Sequence, residues 1–473
     1  MLFNSFEFFI FLPVVFMLYW FACGKSLKVQ NILILIASYF FYGWWNWHFL
    51  VLLMFSTVLD FSFGFWVAEG SVKKRNFFLW LSIFNNLLVL GIFKYYNFFA
   101  TETQHLFDIA GFHIQPHLLK VALPIGISFY TFHGMSYVID IYRGNFKPVK
   151  SFADYAVFVC FFPLLVAGPI ERVTHLMPQI IKPRVFNYPQ AVQGLRLILW
   201  GLIKKVVLAD TLAPVVDNIF ANYAWFPGST LVLGAVYFSF QIYGDFSGYS
   251  DIALGTARLF GFELFSNFRF PYFSRDIAEF WRRWHISLTS WFRDYIYIPL
   301  GGSRVSQSKA IRNVFIIFLI SGFWHGASWN FIAWGAVHAL GFLPLFIFRK
   351  NRTNVAEIVA ADKLLTGFRD LFSMLASFTF VTFAWIFFRA RNLTVAVDFI
   401  KHIPIHLGQS PPLKLFLFLY VIPFILIEWL LRRDERQIRV PPYKILRHII
   451  YIAGIFLVIY HFKDNSSFIY FQF

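Results

Sequence analysis

The 473-residue chain is 59% hydrophobic and only 14% charged, with 66 phenylalanines, too little charge to cover a soluble protein of this length. Its 41 basic and 24 acidic residues give a formal net charge of +17. The excess collects in short inter-helix segments such as SVKKR (71–75), FRKNR (348–352) and LRRDERQIR (431–439), where the positive-inside rule accounts for it and excludes nucleic acid as a partner.

In chain order, apolar spans are predicted near 6–23, 31–46, 48–68, 76–94, 119–140, 152–169, 191–209, 229–260, 311–330, 331–348, 371–389, 413–431 and 446–462. That makes about 11–13 membrane-embedded helices, some of them short or re-entrant. The fold class is an all-α polytopic membrane protein forming one domain over 1–473, since the polar stretches 95–118 and 351–368 are too short for a core of their own. A β-barrel would alternate in short segments, and these runs are continuous. The first span has no basic segment before it and no small-residue cleavage site; Lys25 and Lys28 follow it, which predicts an N-terminus on the outer face. In FFPLLVAGPI (161–170), Pro163, Gly168 and Pro169 predict a broken helix at membrane depth.

Four stretches carry chemistry. In YGDFSGYSDIALG (243–255) polar residues interrupt a span, and Asp245 is a candidate for orienting a histidine or arginine, with a salt bridge as the plainer reading. In LPIGISFYTFHGMSYVIDIYRG (123–144), Tyr130, His133, Tyr137 and Asp140 are candidates for lining a cavity. Residues 263–310 are the least lipid-like. Asp276 and Glu279 have capping-box spacing, and Glu279 and Arg283 are i,i+4 partners. The stretch is expected to form an amphipathic helix at the cytoplasmic interface or dipping into a cavity. Its Arg282, Arg283 and Arg293, with Trp281 and Trp284, are candidates for a phosphate-bearing donor. His285 lies among them.

The fourth stretch is SGFWHGASWN (321–330), which places His325 inside hydrocarbon-like sequence. An ionisable residue at that depth is a functional candidate, and flanking small residues leave room beside its ring. His338, thirteen residues on, would point to the opposite side of a continuous helix. Cys23 and Cys160 are unrelated and no CxxC occurs, so no metal site is expected. No P-loop, dinucleotide fingerprint or HExxH is present either.

Together, LPIGISFYTF, FPLLVAGPI, YGDFSGYSDIALG, NFRFPY, EFWRRWHISLTSWFRDYIYIPLGG and WHGASWNFIAWGAVH, in that order, resemble the membrane-bound O-acyltransferase family. Within it they resemble the bacterial branch containing the integral-membrane component of alginate O-acetylation; the teichoic-acid D-alanyl transfer branch is a more distant likeness. The specific motifs lie within about 120–340, and the helices over about 371–462 follow them.

The resemblance implies helices around a central tunnel, a catalytic membrane histidine at His325 and a second polar position at His285, with Asp245, His338 and Asn267 as supporting candidates. It implies an acetyl or similar short acyl group moving from a cytoplasmic thioester, acetyl-CoA or an acyl carrier, to an exported polysaccharide in a bacterial inner membrane. No tightly bound cofactor is expected. The expected partners are membrane lipids and a periplasmic esterase-like acetyltransferase. The alternatives are a D-alanyl or lipid acyltransferase of the same family, a transporter with His325 as proton relay, and a non-catalytic component of an export complex.

Overall fold

The structure is a computed structural model that describes residues 1–120, 122–166, 168–355, 358–361, 363–411, 415–463 and 468–469. Among them every regular element is helical. The chain packs as two compact units, one of Met1–Leu195 with Ala253–Phe265, the other of Arg196–Ile252 with Ser266–Phe473.

The first unit holds α1 (Phe6–Met17), α2 (Leu27–Gly43), α3 (Trp47–Ala68), α4 (Val72–Leu90), α5 (Tyr96–Ile109), α6 (Ile127–Tyr142), α7 (Phe152–Cys160), α8 (Phe162–Leu165), α9 (Val173–Ile180) and the start of α10 (Tyr188–Leu202). Ser5, Ser26, Asn46 and Ser71 start α1 to α4, each side chain accepting from a backbone N–H of the first turn. A π-helical turn at Gly91–Tyr95 carries α4 into α5, making one 38-residue rod over Val72–Ile109. Two glycines bring α3 and α6 close: a Cβ at Gly134 would fall on the Asp60 carboxylate, and one at Gly64 on the Tyr137 ring. Asp60 itself accepts from Ser82 Oγ (3.1 Å) and Asn86 Nδ2 (2.8 Å). The break predicted within 161–170 falls between α7 and α8 and again after Leu165.

The second unit takes the rest of α10, then α11 (Asp210–Ala221), α12 (Gly228–Leu259), α13 (Ile277–Arg283), α14 (Ile286–Phe292), α15 (Gln307–His325), α16 (Trp329–Ile347), α17 (Phe368–Arg389), α18 (Leu393–His402), α19 (Phe418–Leu431) and α20 (Lys444–His461). The start of the span predicted at 413–431 lies outside the described residues. Small residues again set the close contacts: Gly201 of α10 faces Gly248 of α12, Gly322 of α15 faces the Phe331 carbonyl of α16, and Gly335 of α16 faces the Phe318 carbonyl of α15.

One expectation needs correction. The stretch around EFWRRWHISL is not one helix but two, α13 and α14, broken at His285. Of the two placements expected for it, burial of Trp281, Trp284 and Arg283 fits the one inside a cavity. As the separate spans predicted at 311–330 and 331–348 require, His325 and His338 lie on different helices: α15 stops at His325 and α16 begins at Trp329. Among the described residues, five helices are long and apolar enough to cross a membrane: Trp47–Ala68, Val72–Ile109, Trp329–Ile347, Phe368–Arg389 and Lys444–His461. Apolar helices at Phe6–Ala22, Leu27–Gly43 and Leu415–Leu431 are shorter.

Candidate active site

His285 occupies the left-handed region (φ 43, ψ 53), where a residue with a Cβ is strained. Asn267 holds it there. Its carbonyl accepts from the Ile286 amide (2.9 Å). Its side-chain oxygen accepts from Ser287 Oγ (2.6 Å), and its amide donates to Ser250 Oγ of α12 (2.9 Å). Two residues on, the Arg269 amide donates to the Arg283 carbonyl (3.0 Å). Asp276 caps α13, accepting from the Glu279 amide (2.7 Å). Glu279 in turn accepts from the Arg275 amide (2.8 Å) and from Arg283 Nη2 (2.6 Å). The reciprocal cap thus reaches Arg275 rather than Asp276.

The outcome is a fully buried His285 ring, edge-on to Phe246 at 4.8 Å between centroids. Burial lowers its imidazole to about 3, so it is neutral at physiological pH and acts as a hydrogen-bonding group rather than a cation.

His325 arrives from the other side of the second unit. The tight α15–α16 turn is fixed by Gly326, where a Cβ would strike the Phe331 ring. The buried imidazole sits among Trp324 (4.9 Å), Trp334 (5.2 Å) and Phe388 (5.3 Å), with its centroid 6.4 Å from that of His285. Two histidines forty positions apart in sequence thus converge. His338 lies beyond the Trp334 ring, 4.9 Å away, and its Nδ1 accepts from Trp281 Nε1 (3.3 Å), which places the ring proton on Nε2.

The other candidates go elsewhere. Asp245 does not orient a histidine: it pairs with Lys205 Nζ (2.5 Å) and accepts from the Ile469 amide (2.7 Å). Lys204 and Lys205 were not singled out in the sequence. Lys204 pairs with Asp251 and Glu428, and Lys205 also pairs with Asp210; two consecutive lysines inside the apolar span 191–209 were the available signal. Trp284 is wholly buried and packs on Phe280 and Trp385. In the first unit, the buried His133 Nε2 accepts from the Glu171 amide (3.0 Å), Tyr137 Oη accepts from the Val149 amide (3.1 Å), and Tyr130 and Asp140 are buried.

An apolar slot of about 510 Å³ is lined among others by Trp281, Phe318 and Ser321, with Arg282 and Arg293 on its wall; neither His285 nor His325 borders it. Ser321 stands one turn before His325 on the same face of α15. Arg282 donates to the carbonyls of Asn351 (2.9 Å) and Asn354 (3.2 Å), Arg283 is bound to Glu279, and Arg293 pairs with its neighbour Asp294 (2.8 Å).

These features describe a multi-pass helical membrane protein with a histidine pair in its interior. The chain belongs to the membrane-bound O-acyltransferase family, whose sequence model matches residues 142–386, and it is an acyltransferase. It is 42% identical over 400 residues to the probable alginate O-acetylase AlgI of Pseudomonas aeruginosa, covering 84% of this chain and 73% of that protein. It is 35% identical over 431 residues to the peptidoglycan O-acetyltransferase of Helicobacter pylori, covering 85% and 79%. With the teichoic acid D-alanyltransferase of Streptococcus thermophilus it shares 32% identity over 232 residues, covering 46% and 56%.

Proposed function

We propose that this chain O-acetylates an exported or cell-surface polysaccharide, taking the acetyl group from a cytoplasmic thioester, with His325 as general base. The observation that carries the reading is the 6.4 Å approach of His285 and His325, with an apolar slot reaching Ser321, one turn before His325 on α15. The names of two relatives matched over most of their length, alginate O-acetylase and peptidoglycan O-acetyltransferase, support the acetyl group and the polysaccharide.

In this reading the thioester arm lies in the slot and its carbonyl stands between the two rings. A hydroxyl from the outer side attacks the carbonyl carbon while His325 takes its proton. The C–O bond forms, the C–S bond breaks, and the thiolate leaves with that proton. The products are an acetyl ester and a free thiol. Neutral His285 donates a hydrogen bond to the carbonyl oxygen, where charge develops. His338 and Asn267 act as positioning residues, the first on Trp281, the second on the His285 backbone. General-base help contributes roughly 10²–10⁴-fold, so holding both substrates in line supplies much of the rest.

The membrane is then a bacterial inner membrane, with the N-terminus outside and 263–310 facing the cytoplasm. The acetyl group passes to polysaccharide through a periplasmic esterase-like partner. A cysteine at exposed Ser306 should react with impermeant thiol reagent only once the membrane is opened.

The deciding experiment compares His325→Ala with His325→Gln in cells, scoring polysaccharide acetylation and membrane abundance. Both variants should be inactive at normal abundance, because Gln keeps hydrogen bonding but takes no proton near neutral pH. Substantial acetylation by the Gln variant would sink the base assignment.

A further inference from the structure

The 38-residue rod of α4 and α5 is about 57 Å long at the helical rise, nearly twice the hydrocarbon core it has to cross. Charge marks where the lipid ends. Lys73, Lys74 and Arg75 stand at the start of the rod, and uncharged residues 76–93 separate them from Lys94. From Arg75 to Lys94 is about 28 Å, which fits the core. So α5 lies beyond the lipid, on the outer side in the orientation proposed above.

The chain past Lys94 forms a finger over residues 96–119. Gly111, in the left-handed region (φ 85), ends α5, and the Phe112 amide donates to the Phe107 carbonyl (2.8 Å). The chain then returns to the root of α5. There Asn97 Nδ2 donates to the Leu119 carbonyl and the Leu119 amide donates to Asn97 Oδ1, both at 2.9 Å. The far end of the finger is apolar and uncovered: Leu106 is 68%, Ile109 85% and Phe112 63% exposed. Leu106 stands about 18 Å past Lys94 along the helix, beyond the head-group layer as well. Apolar side chains grouped outside the lipid mark an interaction surface.

A groove of about 470 Å³ leads to them. It is lined from Leu88 and Gly91, at lipid depth, to Phe99 and Phe107, with Ile114 and Pro116 of the returning chain. Leu88 to Phe107 is about 28 Å at the helical rise, the length of a helix rather than of a side chain. No charged residue lines the groove. Beside it, Glu102 and Asp108 are the only Asp, Glu, Lys or Arg between Lys94 and Lys120, in a chain of net charge +17.

We infer that the groove docks the membrane-anchoring helix of an extracytoplasmic partner protein, a helix that continues out of the lipid along the finger with basic residues beside its apolar stripe. A lipid chain would cover Leu88 and Gly91 and stop short of Leu106 and Ile109. A second copy of this chain would set one acidic finger against another. A partner without an anchor would leave the part of the groove at lipid depth unused. The inference rests on the proposed orientation, and it gives the partner that carries acetyl groups to polysaccharide a place to be held.

The test fills the groove. Gly91 has helical dihedrals (φ −56), and a Cβ there meets nothing within 4 Å, so Gly91→Trp places its ring in the groove and leaves the rod intact. Phe84→Trp, at a 61% exposed position of the same rod outside the groove, is the control. In cells Gly91→Trp should lower polysaccharide acetylation about tenfold or more, as loss of an interface anchor does, at unchanged membrane abundance. Phe84→Trp should match the wild type. Leu106→Lys with Ile109→Lys repeats the test at the exposed tip, where new positive charge repels a basic helix and the rod is untouched. The photo-crosslinker p-benzoylphenylalanine in place of Phe99 identifies the occupant by mass spectrometry. The expected adduct is a protein with one membrane anchor and an extracytoplasmic domain, and Gly91→Trp should remove it. Adducts with lipid alone or with another copy of this chain, or no protein adduct at all, overturn the inference. So does full acetylation by both groove and tip variants, or an equal loss in Phe84→Trp. Acetylation that does not depend on His325 refutes the functional reading instead, and the crosslink still decides the docking.

Discussion

His325 is placed by what is missing, and His285 by what is satisfied. The α15–α16 turn that presents His325 closes over Gly322, Gly326 and Gly335, positions where any side chain would strike Phe331 or Phe318. His285 stands in a strained turn between two seven-residue helices, and hydrogen bonds from Asn267 to Ile286, Ser287 and Ser250 fix it. The first region should tolerate the loss of a polar group and fail on an added methyl. The second should do the reverse. A membrane protein has little hydrophobic drive to pack helix against helix, so close backbone contact and internal hydrogen bonds are the two means open to it.

The largest effect is expected from crowding the hairpin. A Cβ at Gly335 would lie 2.3 Å from the Phe318 carbonyl oxygen, and one at Gly322 lies 2.2 Å from that of Phe331. Backbone atoms on both sides cannot turn away as a flexible side chain would. Gly335→Leu should cost about 3 kcal/mol or more, beyond ordinary overpacking, and abolish the monodisperse peak of detergent-solubilised protein. Gly91→Ala, where a Cβ meets nothing within 4 Å, should leave that peak unchanged. Normal behaviour of Gly335→Leu would show that the contact does not set the hairpin.

Next comes the frame around His285. Asn267→Ala removes the acceptor for Ser287 Oγ and the donor to Ser250 Oγ in a buried setting, a loss of about 1–3 kcal/mol. The melting temperature should fall and acetylation should fall further than stability alone explains, because the histidine loses its seat. Asn267→Asp keeps the acceptor for Ser287 and loses the donor to Ser250, so it should lie between. A variant with unchanged activity would leave Asn267 as packing.

The same contrast explains what was legible in the sequence. Local signals held: the Asp276 cap and the Glu279–Arg283 pair follow from spacing alone, and each forms. The apolar runs marked most helices, because a helix in lipid must be apolar for its whole length. The left-handed turn at His285 was invisible, since Trp284-His285-Ile286 contains neither Gly nor Asn, the residues that usually announce such a turn. Asn267, eighteen residues earlier, helps to hold the strained turn. For Asp245 the plainer reading, a salt bridge, is the one that forms, but its partner Lys205, forty residues away, could not be named in advance. Pairing between distant segments leaves no periodic mark.

Stripping the ring but keeping the turn sharpens the comparison. His285→Gly and His285→Ala remove the same imidazole, but only Gly adopts φ 43 without strain. Both should lose most activity, and the Gly variant should be about 1 kcal/mol the more stable, read as a higher melting temperature. If Ala matches or exceeds Gly, the left-handed turn is not kept in the variants and the frame is weaker than drawn.

The smallest expected effect separates the roles of the two rings by pH. Burial lowers the His285 imidazole to about 3, so it stays neutral from physiological pH down through the mildly acid range. A general base fails when it binds a proton, so transfer should fall on the acid side of the pH profile as the working base protonates. Because His285 is already neutral there, His285→Asn should lower the rate at every pH and leave the midpoint of that acid limb where it was. Asn suits the test because it accepts left-handed φ more readily than most residues and cannot titrate. The measurement is kcat/KM for acetyl transfer across mildly acid to neutral pH in both proteins. A limb that disappears in His285→Asn would make His285 the titrating base and return His325 to a hydrogen-bonding role.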